Sequence, residues 1–162
     1  MNLLRSTALV ATFVTTVGAA APAVAQQMPA AAACAPVTAT QVAALFDGWN
    51  DALRTLDPDK VVARYASDGV LLATVSNQPR TTPAEIRDYF VKFLKNAPQG
   101  TVDTRTIKLG CNLAQDVGTY TFRFKDGQTV HARYTYVYEW QNGQWLIAHH
   151  HSSAMPERTA AK

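Results

Sequence analysis

Between Thr40 and Leu56 the apolar residues Val42, Leu45, Phe46, Trp49, Leu53 and Leu56 recur every three or four positions. That spacing predicts one face of an amphipathic helix, ending near Asp57-Pro58. Asp57 as N-cap with Pro58 in the first turn predicts a shorter second helix through Val61, Val62 and Tyr65. Ser67-Asp68-Gly69 then interrupts the pattern, and Val70 to Val75 reads as a short apolar strand. Thr82, Pro83 and Glu85 open a third helix, whose face carries Ile86, Tyr89, Phe90, Phe93 and Leu94 and which stops at "NAPQG".

From Val102 the period changes to two. Strands are predicted in "VDTRTIKLGCNLA", "GTYTFRFK", "QTVHARYTYVYEW" and "QWLIAHHHSSA", parted by turns at Gln115-Asp116, Asp126-Gly127 and Asn142-Gly143. The last two are type I′ hairpin signals, because both central residues then need positive φ. Helices first and a meander later argue an α+β fold, with three helices on one face of a curved, mainly antiparallel sheet.

Strand alternation then sorts side chains by face. Ala132, Tyr134, Tyr136, Tyr138 and Trp140 form an aromatic row, extended by Tyr120, Phe122 and Phe124 on the preceding strand. Such a row suits a packed core and a ligand-lining wall equally. In "WLIAHHHSS" the same rule puts His150 with Leu146, Ala148 and Ser152, and puts His149 and His151 with Trp145, Ile147 and Ser153. Adjacent histidines on a strand diverge, so the three cannot ligate one metal together, and no metal site is expected. Ser152 and Ser153 diverge from their histidine neighbours likewise, and no nucleophile elbow is present.

Composition adds the compartment. The first residues carry one base, Arg5, then an uncharged run and Ala23-Val24-Ala25, which reads as a signal peptide over 1–25 cleaved after Ala25. A leader follows over 26–39, one domain over 40–157 and a disordered tail over 158–162. Export predicts a periplasmic or secreted protein with no stable membrane insertion after cleavage. Cys34 and Cys111 would then meet an oxidising compartment, as a disulfide or as two free thiols. A net charge of +3 is too small and too scattered to indicate nucleic acid.

The segments "ARYTYVYEWQNGQWLIAHHHSSAMP", "VLLATVSNQPRTTPAEIRDYF" and "GCNLAQDVGTYTF" carry a resemblance. They resemble the calcium/calmodulin-dependent protein kinase II association domain and its bacterial relatives in the SnoaL-like and SgcJ/EcaC-like groups, from about Thr40 to Pro156. The resemblance implies a nuclear transport factor 2-like cone, a homodimer or higher homo-oligomer formed through the outside of the sheet, and a pocket between sheet and helices. Arg133, Thr135, Trp145, His149 and His151 are the interface residues this predicts. No glycine-rich or catalytic-loop motif of a kinase occurs, so the resemblance concerns the association module alone.

For the pocket, Trp49, Tyr65, Tyr120, Phe122, Tyr134, Tyr136, Tyr138, His150 and Ser152 are the predicted lining residues. The kinase association domain carries arginines where this chain has Phe122, Tyr136 and Ser152, so binding of a carboxylate in the same manner would need Arg123 or Arg133 to reach inside. The leading expectation is a binding module for an unidentified small molecule. The alternatives are a cofactor-free isomerase, cyclase or dehydratase using His150 as acid/base with Tyr136 and Asp68 in support, and a purely structural homo-oligomer.

Overall fold

The computed structural model describes residues 33–74 and 76–156. The predicted signal peptide, most of the leader and the C-terminal tail lie outside the described residues. Helix α1 spans Ala39–Arg54, opened by a reciprocal capping box between Thr38 and Gln41. Helix α2, Pro58–Val62, is capped by Asp57, whose side chain accepts from Asp59 N–H. Strand β1 is Tyr65–Leu72 and helix α3 is Pro83–Phe93, the latter opened by a Thr82–Glu85 capping box and continued by one 3-10 turn, Leu94–Asn96. Strands β2 (Gln99–Gly110), β3 (Leu113–Arg123), β4 (Thr129–Gln141) and β5 (Gln144–Ala154) complete the sheet.

The five strands lie in the order β1-β5-β4-β3-β2. Only β1 and β5 run parallel; the other pairs are antiparallel hairpin partners. The sheet is curved and open, and its inner face packs on the helices. Val42, Phe46, Trp49 and Leu53 of α1 and Ile86 and Phe90 of α3 are buried against Tyr120, Phe122, Tyr134, Tyr136 and Tyr138. The expected α+β cone is the fold observed.

Four local expectations are corrected. Tyr65 is the first residue of β1 rather than the end of α2, and β1 runs through Ser67-Asp68-Gly69. It does so by bulging: Tyr65 pairs with Ile147 and Val70 with His149, so the intervening residues loop out and Gly69 comes against the Ile147 carbonyl. Gln115-Asp116 lies inside β3; the turn is at Cys111-Asn112, where Asn112 takes φ 55. Asn is among the residues that tolerate this left-handed conformation, and Asn112 Oδ1 accepts from Ala35 N–H besides. Asn142-Gly143 is the type I′ turn expected, with φ 51 and 84. At Asp126-Gly127 only Gly127 has positive φ; its N–H bonds the Phe124 carbonyl, a three-residue loop of the bulged type.

The fourth correction concerns the histidine strand. Tyr138 pairs with Ile147 while Val137 pairs with His149, so Ala148 is an extra residue that shifts the alternation. Ile147 therefore faces the core, 1% exposed, on the same side as His150 and Ser152. Trp145 follows Ile147 to the inner side, partly buried and with its ring 5.7 Å from Trp140, and leaves the outer surface predicted for it. Trp140 itself, at the rim, is exposed.

Cys34 and Cys111 are joined as a disulfide, which ties the segment before α1 to the β2–β3 turn. Closing a loop of 77 residues stabilises the fold by about 4 kcal/mol on the chain-entropy model. Among the described residues no helix is long and apolar enough to cross a membrane.

Candidate functional site

A cavity of about 420 Å³ opens between α3, the end of β1 and the inner face of β3 and β5. Its walls are rings. Trp49 comes from α1, Tyr89, Phe90 and Phe93 from α3, and Tyr120 and Phe122 from β3. At the inner end stand His150 and Ser152 of β5, with Leu71, Ala73 and Thr74; at the mouth stand Asn96, Asp126 and Gln128. Among the described residues no Lys or Arg lines it.

His150 is placed by the Ala148 bulge and by pairing on both sides, with Leu71 across the parallel ladder and Tyr136 across the antiparallel one. Its ring stacks on Tyr136 at 4.1 Å and meets the edge of Trp49 at 5.3 Å. Tyr65 Oη lies 2.8 Å from His150 Nδ1. The Tyr65 hydroxyl is held protonated, because burial raises its pKa well above the usual tyrosine value. That hydroxyl has no other acceptor among the described residues, and in the arrangement where it donates to Nδ1 the neutral ring carries its proton on Nε2. Nε2 has no hydrogen-bond partner, although His150 is only 3% exposed.

Burial, and secondarily the neighbouring His149 and His151, push the His150 pKa down to about 3. The ring is neutral at pH 7. Acid/base work at neutral pH asks for a group that titrates near it, which His150 does not. What the arrangement offers is a fixed, uncharged imidazole at the cavity wall, with Nε2 itself closed in by the surrounding side chains.

A second polar feature adjoins it. Tyr120 Oη donates to Ser152 Oγ at 2.6 Å, and Ser152 Oγ also bonds Thr74 Oγ1. The position that holds arginine in the resembled domain thus carries a satisfied hydroxyl chain. Arg123 and Arg133 are exposed and do not line the cavity.

Of the predicted lining residues, Trp49, Tyr120, Phe122, His150 and Ser152 line the cavity. Tyr65, Tyr134, Tyr136 and Tyr138 are buried but belong to the core around it. Tyr65 and Tyr136 act on the site through His150. Asp68, predicted as catalytic support, is exposed on the bulged part of β1 and lies outside the cavity. On the outer side of the sheet, Arg133 and His151 are exposed and Thr135 and His149 half-buried. Burial, and then the charge of His151, lower the His149 pKa.

The sequence reading missed a buried polar cluster under α1. Asp116, fully buried, accepts from Tyr134 Oη at 2.8 Å, and its other oxygen lies 2.9 Å from Arg105 Nε. The Arg105 guanidinium sits over the Phe46 ring at 5.5 Å. Burial raises the Asp116 pKa against the pull of Tyr134 and Arg105. The signal was present: Ala114, Asp116, Gly118, Tyr120 and Phe122 alternate on one face. Asn50, also missed, pins α1 to β2 by exchanging two hydrogen bonds with the Gly100 backbone. Among the described residues no group of three or more His, Cys, Asp or Glu is placed to hold a metal ion.

Cone, bent sheet and inner cavity define a nuclear transport factor 2-like protein, and solved structures agree. A protein of that class from Pseudomonas putida KT2440, of unknown function, is 21% identical with TM-score 0.65, covering 74% of this chain and 88% of its own. A dehydratase candidate of the same class from Streptomyces avermitilis is 13% identical with TM-score 0.65, covering 73% and 96%. Much nearer in sequence is a Xanthomonas campestris protein whose crystal structure is described as a calcium/calmodulin dependent protein kinase II association domain. It is 52% identical with TM-score 0.71, covering 78% of this chain and 94% of its own. The model of that domain family matches residues 38–156, and the chain belongs to the calcium/calmodulin dependent protein kinase II association domain family. No curated protein matches in sequence.

Proposed function

We propose that this is an exported, self-associating binding module whose cavity takes an uncharged, flat, largely apolar small molecule. The cavity carries the proposal. At about 420 Å³ it has the size of a small-molecule site, its walls are aromatic, and among the described residues its only charged lining group is Asp126 at the mouth. A carboxylate ligand would leave water for a site with no cation among its described lining residues, at a cost in desolvation. Arg80 and Lys92 stand with Asp88 in an adjoining hollow that shares Tyr89, Phe93 and Asn96 with the cavity.

Export is supported by the bonded Cys34–Cys111 pair, which suits an oxidising compartment. Self-association through Arg133, Thr135, His149 and His151 is supported by membership of an association-domain family. The enzyme alternative draws on the dehydratase candidate, but His150 at a pKa of about 3 lacks the basicity for it.

Trp49 in the cavity wall makes occupancy measurable by fluorescence. Titration of the signal-free protein with naphthalene is expected to give saturable binding, and 2-naphthoate to bind at least about tenfold more weakly. Absence of saturable binding by either compound would refute the reading. Tighter binding of the carboxylate would refute its charge assignment.

A further inference from the structure

We infer that self-association of this chain is gated by pH: His149 and His151, side by side on the outer face of the sheet, weaken the pairing of two copies when they take up protons. The inference rests on the self-association reading above and adds its regulation.

The register places both histidines within two rows that cross that face. One row runs Gln115, Val137, His149 and Val70; the next runs Val117, Thr135, His151 and Leu72. Residues opposite one another in a ladder, and those two apart along a strand, share a face. His149 is therefore flanked by two valines and His151 by a threonine and a leucine, with no carboxylate beside either. The helices bury their apolar sides against the inner face, which leaves His149 half-buried and His151 exposed on the outer one. A two-fold interface presents the same patch from both copies, so charge on one histidine pair faces the same basic patch on the other.

Other charged groups on this face do not offset it. Arg133, opposite Ser153 on β5, adds a cation next to His151, and Lys108 stands opposite Gln115 at the far end of its row. Glu139 lies further along β4, where its Oε2 accepts from Gln141 Nε2, and Asp68 stands on the bulged part of β1. Among the described residues neither carboxylate pairs with a histidine.

His131 is the contrast on the same face. Its Nδ1 lies 2.8 Å from Thr121 Oγ1, which donates to Asp103 Oδ2 at 2.7 Å. A proton on His131 thus has a carboxylate one hydroxyl away, whereas a proton on His149 or His151 has none.

Burial, and then the charge of His151, already lower the His149 pKa in the single chain. A second copy laid over the face takes more water from the ring and brings further cations toward it, and both disfavour the charged form. Pairing is then at full strength above about pH 6.5, the ordinary histidine value, and is lost as pH falls below it.

Sedimentation of the disulfide-bonded, signal-free protein at pH 7.5 and at pH 5 reads the dissociation constant in each condition. Wild type is expected to pair at least about tenfold more weakly at pH 5, because each proton that the dimer excludes changes the constant by up to about tenfold per pH unit. The double variant His149→Gln, His151→Gln is expected to lose that dependence, and His131→Gln to keep it. Equal wild-type constants at the two pH values, or a dependence that persists in the double variant, overturn the inference and leave self-association intact. A wild-type monomer at both pH values overturns both. Far-UV circular dichroism of the same samples separates dissociation from unfolding, and weakening that comes with loss of the helix signal counts against the inference. Should the double variant not fold, His151→Gln alone, at an exposed position, is expected to shrink the pH response at least about threefold, and an unchanged response overturns the inference.

Discussion

At the residue scale, His150 shows why a polar residue in a strand can be placed correctly on partly wrong grounds. Alternation put it on the inner side with Leu146, Ala148 and Ser152; the bulge at Ala148 keeps Ser152 beside it and brings in Ile147 in place of Leu146 and Ala148. The inward position was legible and the ionisation state was not, because that depends on burial by Trp49, Tyr65 and Tyr136 from three other elements. The pKa has a consequence for stability. A histidine at about 3 when folded and about 6.5 when unfolded binds its proton more readily in the unfolded chain. Stability is therefore full above pH 6.5 and declines as pH falls toward 3. The groups around the ring, Tyr65, Tyr136 and Trp49, are uncharged in this window, and His149, also lowered, adds a decline of the same sign. Between pH 6.5 and 5 the His150 share is about 2 kcal/mol. Urea unfolding at the two pH values, on wild type and His150→Phe, is expected to show that difference disappearing in the variant.

At the element scale, what the sequence made legible is what local chemistry determines. The caps at Asp57 and Thr82, the helix faces and the Asn142-Gly143 turn all fall where residue types place them, while the Thr38 cap lies in what was read as leader. What escaped is what a partner strand determines. The β1 bulge showed only as a break at Ser67-Asp68-Gly69, the β5 bulge has no signature in its own residues, and Asp116 looked like a turn until its pairing with Tyr136 across the β3–β4 ladder put it inside. Gly118 belongs to this group. A Cβ there would lie 1.9 Å from the Thr104 carbonyl, where β2 bulges between Val102 and Thr104. The glycine permits the close approach that bends the sheet and brings Arg105 over Phe46. Gly118→Ala is expected to destabilise the fold by about 3 kcal/mol, read by denaturant unfolding, because backbone rather than a movable side chain stands in the way. A loss below about 0.5 kcal/mol would show that the bulge is compliant.

At the scale of the whole molecule, the cone divides its work between two sheet faces. The inner face, with the helices, makes a core at one end and an open aromatic cavity at the other. The outer face, with Thr135, His149, His151 and Arg133, is the one proposed to meet a second copy of the chain. Sedimentation of the signal-free protein at micromolar concentration is expected to give a dimer or larger, and Thr135→Arg, which adds a charge to that face, to shift it toward monomer. A wild-type monomer would contradict the self-association reading without touching the cavity.

A side chain placed inside the cavity competes with any ligand that binds there. Ala73 lines it and is 7% exposed, so Ala73→Phe puts a ring into the space where a ligand would sit. The measurement is the Trp49 fluorescence titration with naphthalene on wild type and on this variant. Saturable binding by wild type that weakens at least about tenfold in a folded Ala73→Phe protein is the predicted result. Equal affinity in the two proteins would place the binding elsewhere and contradict the account.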